Sequence, residues 1–297
     1  MAFEQTSAGS DTADAKRKAL LYMLLATLLL ALMHSCVRYV GSDLPPAVIV
    51  FFRNLFGFVA VLPLILKGGV ASMKTQHIGL TVLRAFIGII AMQTWFYALT
   101  KVPIANATAL SFSTTIFATL IAWLVLREKM RVRRWAAILV GLLGVYVALQ
   151  PEASGFNRYA LLVLFSAIAW GSSLTIVKVL SRSDSTTSIV GWMTLSLTIL
   201  SFPIALYYWQ TPTATQFTML ILIGALATAG HYSMTTALRM ADTAIVMSMD
   251  FARLIWVAII GIFWFGEPLD LGTVIGAIII FGAGWYIIFR EGKLKSK

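Results

Sequence analysis

Charge is scarce in this chain. Of its 297 residues only 12% are charged, against 59% hydrophobic, with a mean hydropathy of +0.87. A soluble domain carries about a quarter charged residues and shorter apolar runs, so this composition excludes an ordinary soluble fold. Cysteine occurs once, as Cys36 inside an apolar run. That excludes an internal disulfide and a multi-thiolate metal site. There is no G-x-x-x-x-G-K-[ST] loop, no H-E-x-x-H and no clustered acidic pair in the sequence. ATP hydrolysis, zinc proteolysis and Mg²⁺–phosphate chemistry within the chain lose their usual residues. No catalytic residue, metal ligand or cofactor is therefore expected. The net charge of +11 would point to nucleic acid in a soluble chain. Here the basic residues lie between apolar runs, where membrane topology accounts for them.

What is present is a series of apolar spans near 18–40, 46–66, 77–100, 103–126, 134–150, 157–179, 187–209, 215–238, 242–265 and 270–290. Each approaches the roughly 20 residues a helix needs to cross a bilayer. Residues 1–17 are polar and read as a disordered cytoplasmic N-terminus, with Lys16, Arg17 and Lys18 leading into an uncleaved first helix. Residues 291–297 read as a basic cytoplasmic tail. With the N-terminus inside, seventeen Lys and Arg fall in cytoplasmic segments and only Arg38, Lys101 and Arg158 in outer ones. Arg53, Arg84 and Arg253 lie within spans. The bias places both termini in the cytoplasm.

The two halves repeat. Ala98–Glu128 overlays Ala237–Glu267 without a gap, pairing Ala98/Ala237, Leu99/Leu238, Ala105/Ala244, Phe112/Phe251, Ile116/Ile255, Ile121/Ile260 and Glu128/Glu267. Near the same offset Arg38 pairs with Lys178 and Pro63 with Pro203, whereas Arg53 falls opposite Trp192. Five spans per half is an odd number, so the second half must be inverted. Its equivalent loops should then lose positive charge. REKMRVRR at 127–134 is answered by GEPLD at 266–270. The reading is an all-α membrane protein of ten transmembrane helices in two inverted five-helix repeats, 18–150 and 157–290.

These features, with A-W-G-S-S at Ala169–Ser173, Arg53 after Pro45–Pro46, and the closing Gly141/Gly144 and Gly282/Gly284, resemble the drug/metabolite transporter superfamily and within it the EamA type of bacterial inner-membrane carrier. The first half departs from the pattern, reading Leu30-Ala31-Leu32 where the second has Trp170-Gly171-Ser172. The resemblance implies a midplane cavity lined by the first, third, fourth, sixth, eighth and ninth helices. The fifth and tenth would lie at the periphery, where a homodimer contact is one expectation. Its substrates would be amino acids, nucleoside or flavin-like metabolites, S-adenosylmethionine, polyamines or drugs, with a coupling proton or an exchange metabolite.

Ionisable groups inside hydrocarbon are costly and mark candidate sites. Asp250 and Arg253 fall at i and i+3, on a face with Thr243, Met247, Val257 and Gly261. They could anchor a charged or zwitterionic substrate; alternatively they form a structural pair. A carboxylate paired with Arg keeps its proton poorly, which counts against Asp250 as a simple proton carrier. His34 and His231, on the first and eighth helices, are candidates for proton relay or for packed hydrogen bonds. Arg84 starts close enough to the cytoplasmic face to snorkel, and Arg53 reads as structural. Ser111 and Thr115 belong to a hydroxyl stripe with Thr108 and Thr119. Trp95, Phe112, Trp170, Tyr232, Phe251 and Trp256 favour a partly apolar, ring-containing substrate over an inorganic ion. The substrate-binding candidates are thus Asp250, Arg253, Trp95, His34, His231, Trp170, Tyr232, Ser111 and Thr115.

The function expected is a secondary carrier of a small organic metabolite, aromatic or heteroaromatic in character, working by alternating access. The alternatives are an exporter of drugs or of S-adenosylmethionine- or polyamine-type cations, a flippase of lipid-linked substrates, and, remotely, a membrane-embedded enzyme. Membrane lipids are expected partners; nucleic acid is not.

Overall fold

The computed structural model describes residues 2–126, 132–149, 157–180, 183–240 and 249–295. Its helices are α1 Ala2–Val40, α2 Pro46–Gly68, α3 Ile78–Leu99, α4 Ile104–Ser111, α5 Thr114–Leu126, α6 Val132–Leu149, α7 Ala160–Leu180, α8 Thr186–Tyr207, α9 Ala214–Met240, α10 Ala252–Phe265 and α11 Leu271–Lys295. Among the described residues seven segments are long and apolar enough to span a bilayer, and three shorter apolar helices lie in α6, α10 and α11. Together they make the ten expected. In hydrocarbon the backbone must satisfy its own hydrogen bonds, so apolar runs of this length become helices.

The punctuation is local chemistry. Pro45 and Pro46 open α2, where the missing N–H costs nothing. Gly69 closes it at φ +67, a conformation that favours glycine. The Ser185 side chain accepts the Ser188 N–H and caps α8. Asp184 beside it ties the α7–α8 turn to the α2–α3 loop, accepting from Thr75 Oγ1 and the Gln76 N–H. Helix α1 runs from residue 2 and α11 runs to residue 295. Extending a formed helix costs less than nucleating one.

The fourth span, expected as one helix over 103–126, breaks between α4 and α5. Ser111 Oγ donates to the Thr108 carbonyl at 2.7 Å and Ser113 Oγ to the Leu110 carbonyl at 2.6 Å. Such back-bonding competes with the helical ladder. Met249–Phe251 forms a 3₁₀ turn directly before α10. Phe112 and Phe251 are repeat equivalents, so the fourth and ninth spans depart from the α-helix at the same place in both halves.

Packing obeys the inversion. α1 packs on α9 and its counterpart α7 on α3; α2 meets α8, α4 meets α10, and α6 meets α11. Exchanging the halves maps this set onto itself. The α6–α11 seam is made of small residues. A Cβ on Gly276 would lie 2.6 Å from the Ala148 N and 2.7 Å from the Gly144 carbonyl oxygen, both backbone atoms. On Gly282 it would meet nothing within 4 Å. Small residues let membrane helices approach this closely. Gly276→Leu should therefore lower the melting temperature in detergent, by about 1–3 kcal/mol of overpacking, while Gly282→Leu leaves it unchanged. Equal melting of both variants would contradict the seam.

Candidate functional site

Three arginines and two histidines from α1, α2, α3, α9 and α10 gather where the halves meet. Arg53 is 4% exposed. It donates through Nη1 to Asn54 Oδ1 at 2.8 Å and through Nη2 to His231 Nε2 at 3.2 Å. A guanidinium cannot accept, so His231 Nε2 is the acceptor. His34, 7% exposed, accepts the Trp95 indole N–H at Nε2, 3.3 Å away, with the rings edge to face at 5.3 Å. Its proton then sits on Nδ1. The charges of Arg53 and Arg253 act on both histidines, and that of Arg84 on His231.

Asp250 and Arg253 pair at 3.1 Å, as the spacing predicts. The pair lies across the 3₁₀ turn Met249–Phe251 and the first turn of α10. Arg253 also lies over the Phe112 ring, 5.4 Å from its centroid. The break between α4 and α5 thus faces the start of α10, and a cation–π contact joins them. Trp256 Nε1 donates to Thr27 Oγ1 at 3.2 Å, tying α10 to α1.

Arg84 does not snorkel. It is 8% exposed and donates to the Ile189 carbonyl at 3.1 Å and to Met193 Sδ at 3.2 Å. It lines a small, nearly filled cleft with Gly88, Trp170, Ser173, Met193 and Ser196. Where α1 and α10 end and α4 begins, Arg38 donates to Glu267 Oε1 at 2.7 Å and to the Leu99 and Val102 carbonyls. The Ile104 N–H donates to Glu267 Oε2 at 2.8 Å. One carboxylate therefore fastens three segments.

The structure brings His34, His231, Trp95, Asp250 and Arg253 into one neighbourhood and puts Trp170 beside Arg84. Ser111 lies at the α4 break, its hydroxyl donated to Thr108. Thr115 faces Gly284 of α11, where a Cβ would meet it at 3.6 Å. Tyr232 lies on the periphery, 62% exposed, because its position on α9 points away from the α1 and α2 contacts. Thr243 and Met247, the side chain of Phe251, and Glu128 lie outside the described residues. Arg84, read as interfacial, is the residue whose place sequence reasoning missed; Arg53, read as structural, is buried against Asn54 and His231. The signal for Arg84 was its lack of any acidic companion in its span.

The model of the EamA-like transporter family matches residues 17–150 and again 157–289. A riboflavin transporter of Vibrio cholerae is 34% identical over 266 residues, covering 88% of this chain and 89% of that protein. An S-adenosylmethionine uptake transporter of Rickettsia bellii is 30% identical over 260 residues, covering 88% and 89%. A pseudopaline exporter of Pseudomonas aeruginosa is 26% identical, covering 90% and 94%. A solved crystal structure aligns with 96% of this chain and 99% of its own at a TM-score of 0.60 and 17% identity, a likeness of fold. With two matched repeats, an inverted packing scheme and apolar membrane-spanning helices, this chain belongs to the EamA-like transporter family, multi-pass membrane transporters of small molecules.

Proposed function

We propose that the chain is a secondary carrier of a small aromatic or heteroaromatic metabolite. It works by alternating access across the bacterial inner membrane, with both termini cytoplasmic. The observation that carries this reading is the buried polar centre where the α4–α5 break meets the 3₁₀ turn and start of α10, walled by Trp95, Phe112 and Trp256. Discontinuous helices at corresponding points of inverted repeats form the midplane sites of such carriers. Asp250 and Arg253 hold polar groups of the substrate, the aromatic rings hold its flat part, and His34 and His231 orient it. Trp170 and Ser111 flank the route. The Arg38–Glu267 latch closes the outer end, and transport is coupled to a proton or to an exchanged metabolite. The carriers of riboflavin and S-adenosylmethionine among its relatives support a ring-bearing substrate.

The test is uptake into proteoliposomes of labelled riboflavin, S-adenosylmethionine and the aromatic amino acids. At least one compound should accumulate well above protein-free vesicles, and Trp95→Ala should reduce that uptake. If no compound enters while a control carrier works in the same vesicles, the reading fails.

A further inference from the structure

We infer that the midplane centre binds an anionic group, a carboxylate or a phosphate, and so selects substrates that carry one; this rests on the carrier reading. Arg53, Arg84 and Arg253 bring three guanidinium charges into the bundle, and among the described residues only Arg253 has a carboxylate, Asp250, within ion-pair range. Arg53 spends its terminal nitrogens on an amide oxygen and an imidazole, and Arg84 on a carbonyl and a thioether. These are neutral acceptors. Among the described residues these two charges have no carboxylate partner, on side chains more than nine-tenths buried.

The hydrogen-bond inventory says the same independently of charge. Buried side-chain atoms with no partner include Arg53 Nε, Arg84 Nε, Arg253 Nε and His34 Nδ1. The arginine nitrogens are donors by chemistry, and His34 Nδ1 is one because Nε2 already accepts from Trp95. A buried donor left unmade is costly, and a buried charge without a partner more so. A group offering several acceptor oxygens and negative charge answers both. A polyamine-type cation offers neither, and would meet excess charge of its own sign.

The test uses the purified full-length chain and two matched pairs, riboflavin 5′-phosphate against riboflavin, and S-adenosylmethionine against its decarboxylated form. Binding is read by titration in detergent micelles. The member bearing phosphate or carboxylate should bind at least tenfold more tightly, and Arg53→Gln should erase most of that preference. Because the pair comparison is made on the unsubstituted protein, it decides the matter even where Arg53→Gln does not fold, and Arg84→Gln is the second variant. The inference is overturned if neither anion-bearing compound binds, if the partner lacking the anion binds equally well, or if the folded variants keep the full preference. Proteoliposome uptake separates it from the carrier reading. Riboflavin transported without binding of its phosphate sinks the inference alone; anion binding without transport of any compound sinks the carrier reading alone.

Discussion

Asp250→Asn should be among the most damaging single changes in this protein, and most of the damage should vanish when Arg253→Gln is added. The carboxylate is the acidic member of an ion pair at the start of α10, with the two side chains 16% and 15% exposed. Removing one partner of a buried pair costs about 3–5 kcal/mol, chiefly because the surviving charge is stranded. Partial exposure puts this pair toward the low end. At roughly 2–4 °C per kcal/mol for a chain of this size class, the single variant should melt about 6–12 °C lower in detergent. The stranded charge here joins Arg53 and Arg84, which makes the penalty worse. The double variant removes that charge and should recover most of the loss, giving a large coupling energy in the double-mutant cycle. Additive losses would show that the pair does not act as a unit.

Glu267→Gln should open the end of the bundle where α1 and α10 finish. Its carboxylate holds Arg38 and the first amide of α4 at once, at 2.7 and 2.8 Å. Hydrogen bonds to charged groups contribute about 1.5–3 kcal/mol each, and 1.4 kcal/mol is a tenfold change in an equilibrium. Ala105 lines the small crevice beside Glu267 together with Asn106, Gly261 and Thr273. In a Cys36→Ser background, Ala105→Cys should react with a membrane-impermeant maleimide about tenfold faster once Glu267→Gln is introduced. Glu267→Asp, which keeps the charge on a shorter arm, should fall between. An unchanged labelling rate would mean that other contacts keep this end shut. The sequence-equivalent of Glu267 in the first half is Glu128, and that of Arg38 is Lys178. Glu128→Gln is therefore the matched substitution for the opposite end.

Much of the architecture could be read in advance because membrane insertion is governed by local quantities. An apolar run of sufficient length must become a helix, whatever it later packs against. The basic residues then report which ends share a side. Glu128 and Glu267, Arg38 and Lys178, Pro63 and Pro203 disclosed the inverted repeat because polar punctuation stands out in an apolar background. The i, i+3 spacing of Asp250 and Arg253 disclosed their pairing for the same reason: both partners lie on one turn.

Contacts between helices were another matter. Arg53 and His231 are 178 positions apart, and their meeting depends on how α2 lies against α9. Arg84 was read as a snorkelling residue because its depth along α3 permitted that. The packing of α3 against α8 instead turned it inward, onto the Ile189 carbonyl. Tyr232 went the other way, since one helix offers an inner and an outer face and only its neighbours decide which is which. The fourth-span break was hidden because Ser111 and Ser113 fit an unbroken helix as well as a broken one.

The sequence by itself determined that this chain spans a membrane, in which order and with which symmetry, because transfer of apolar surface and burial of backbone polar groups are decided segment by segment. Only the tertiary structure decided that three arginines and two histidines share one buried centre, because a charge buried between helices acquires its partners, or its lack of them, from segments the chain keeps far apart.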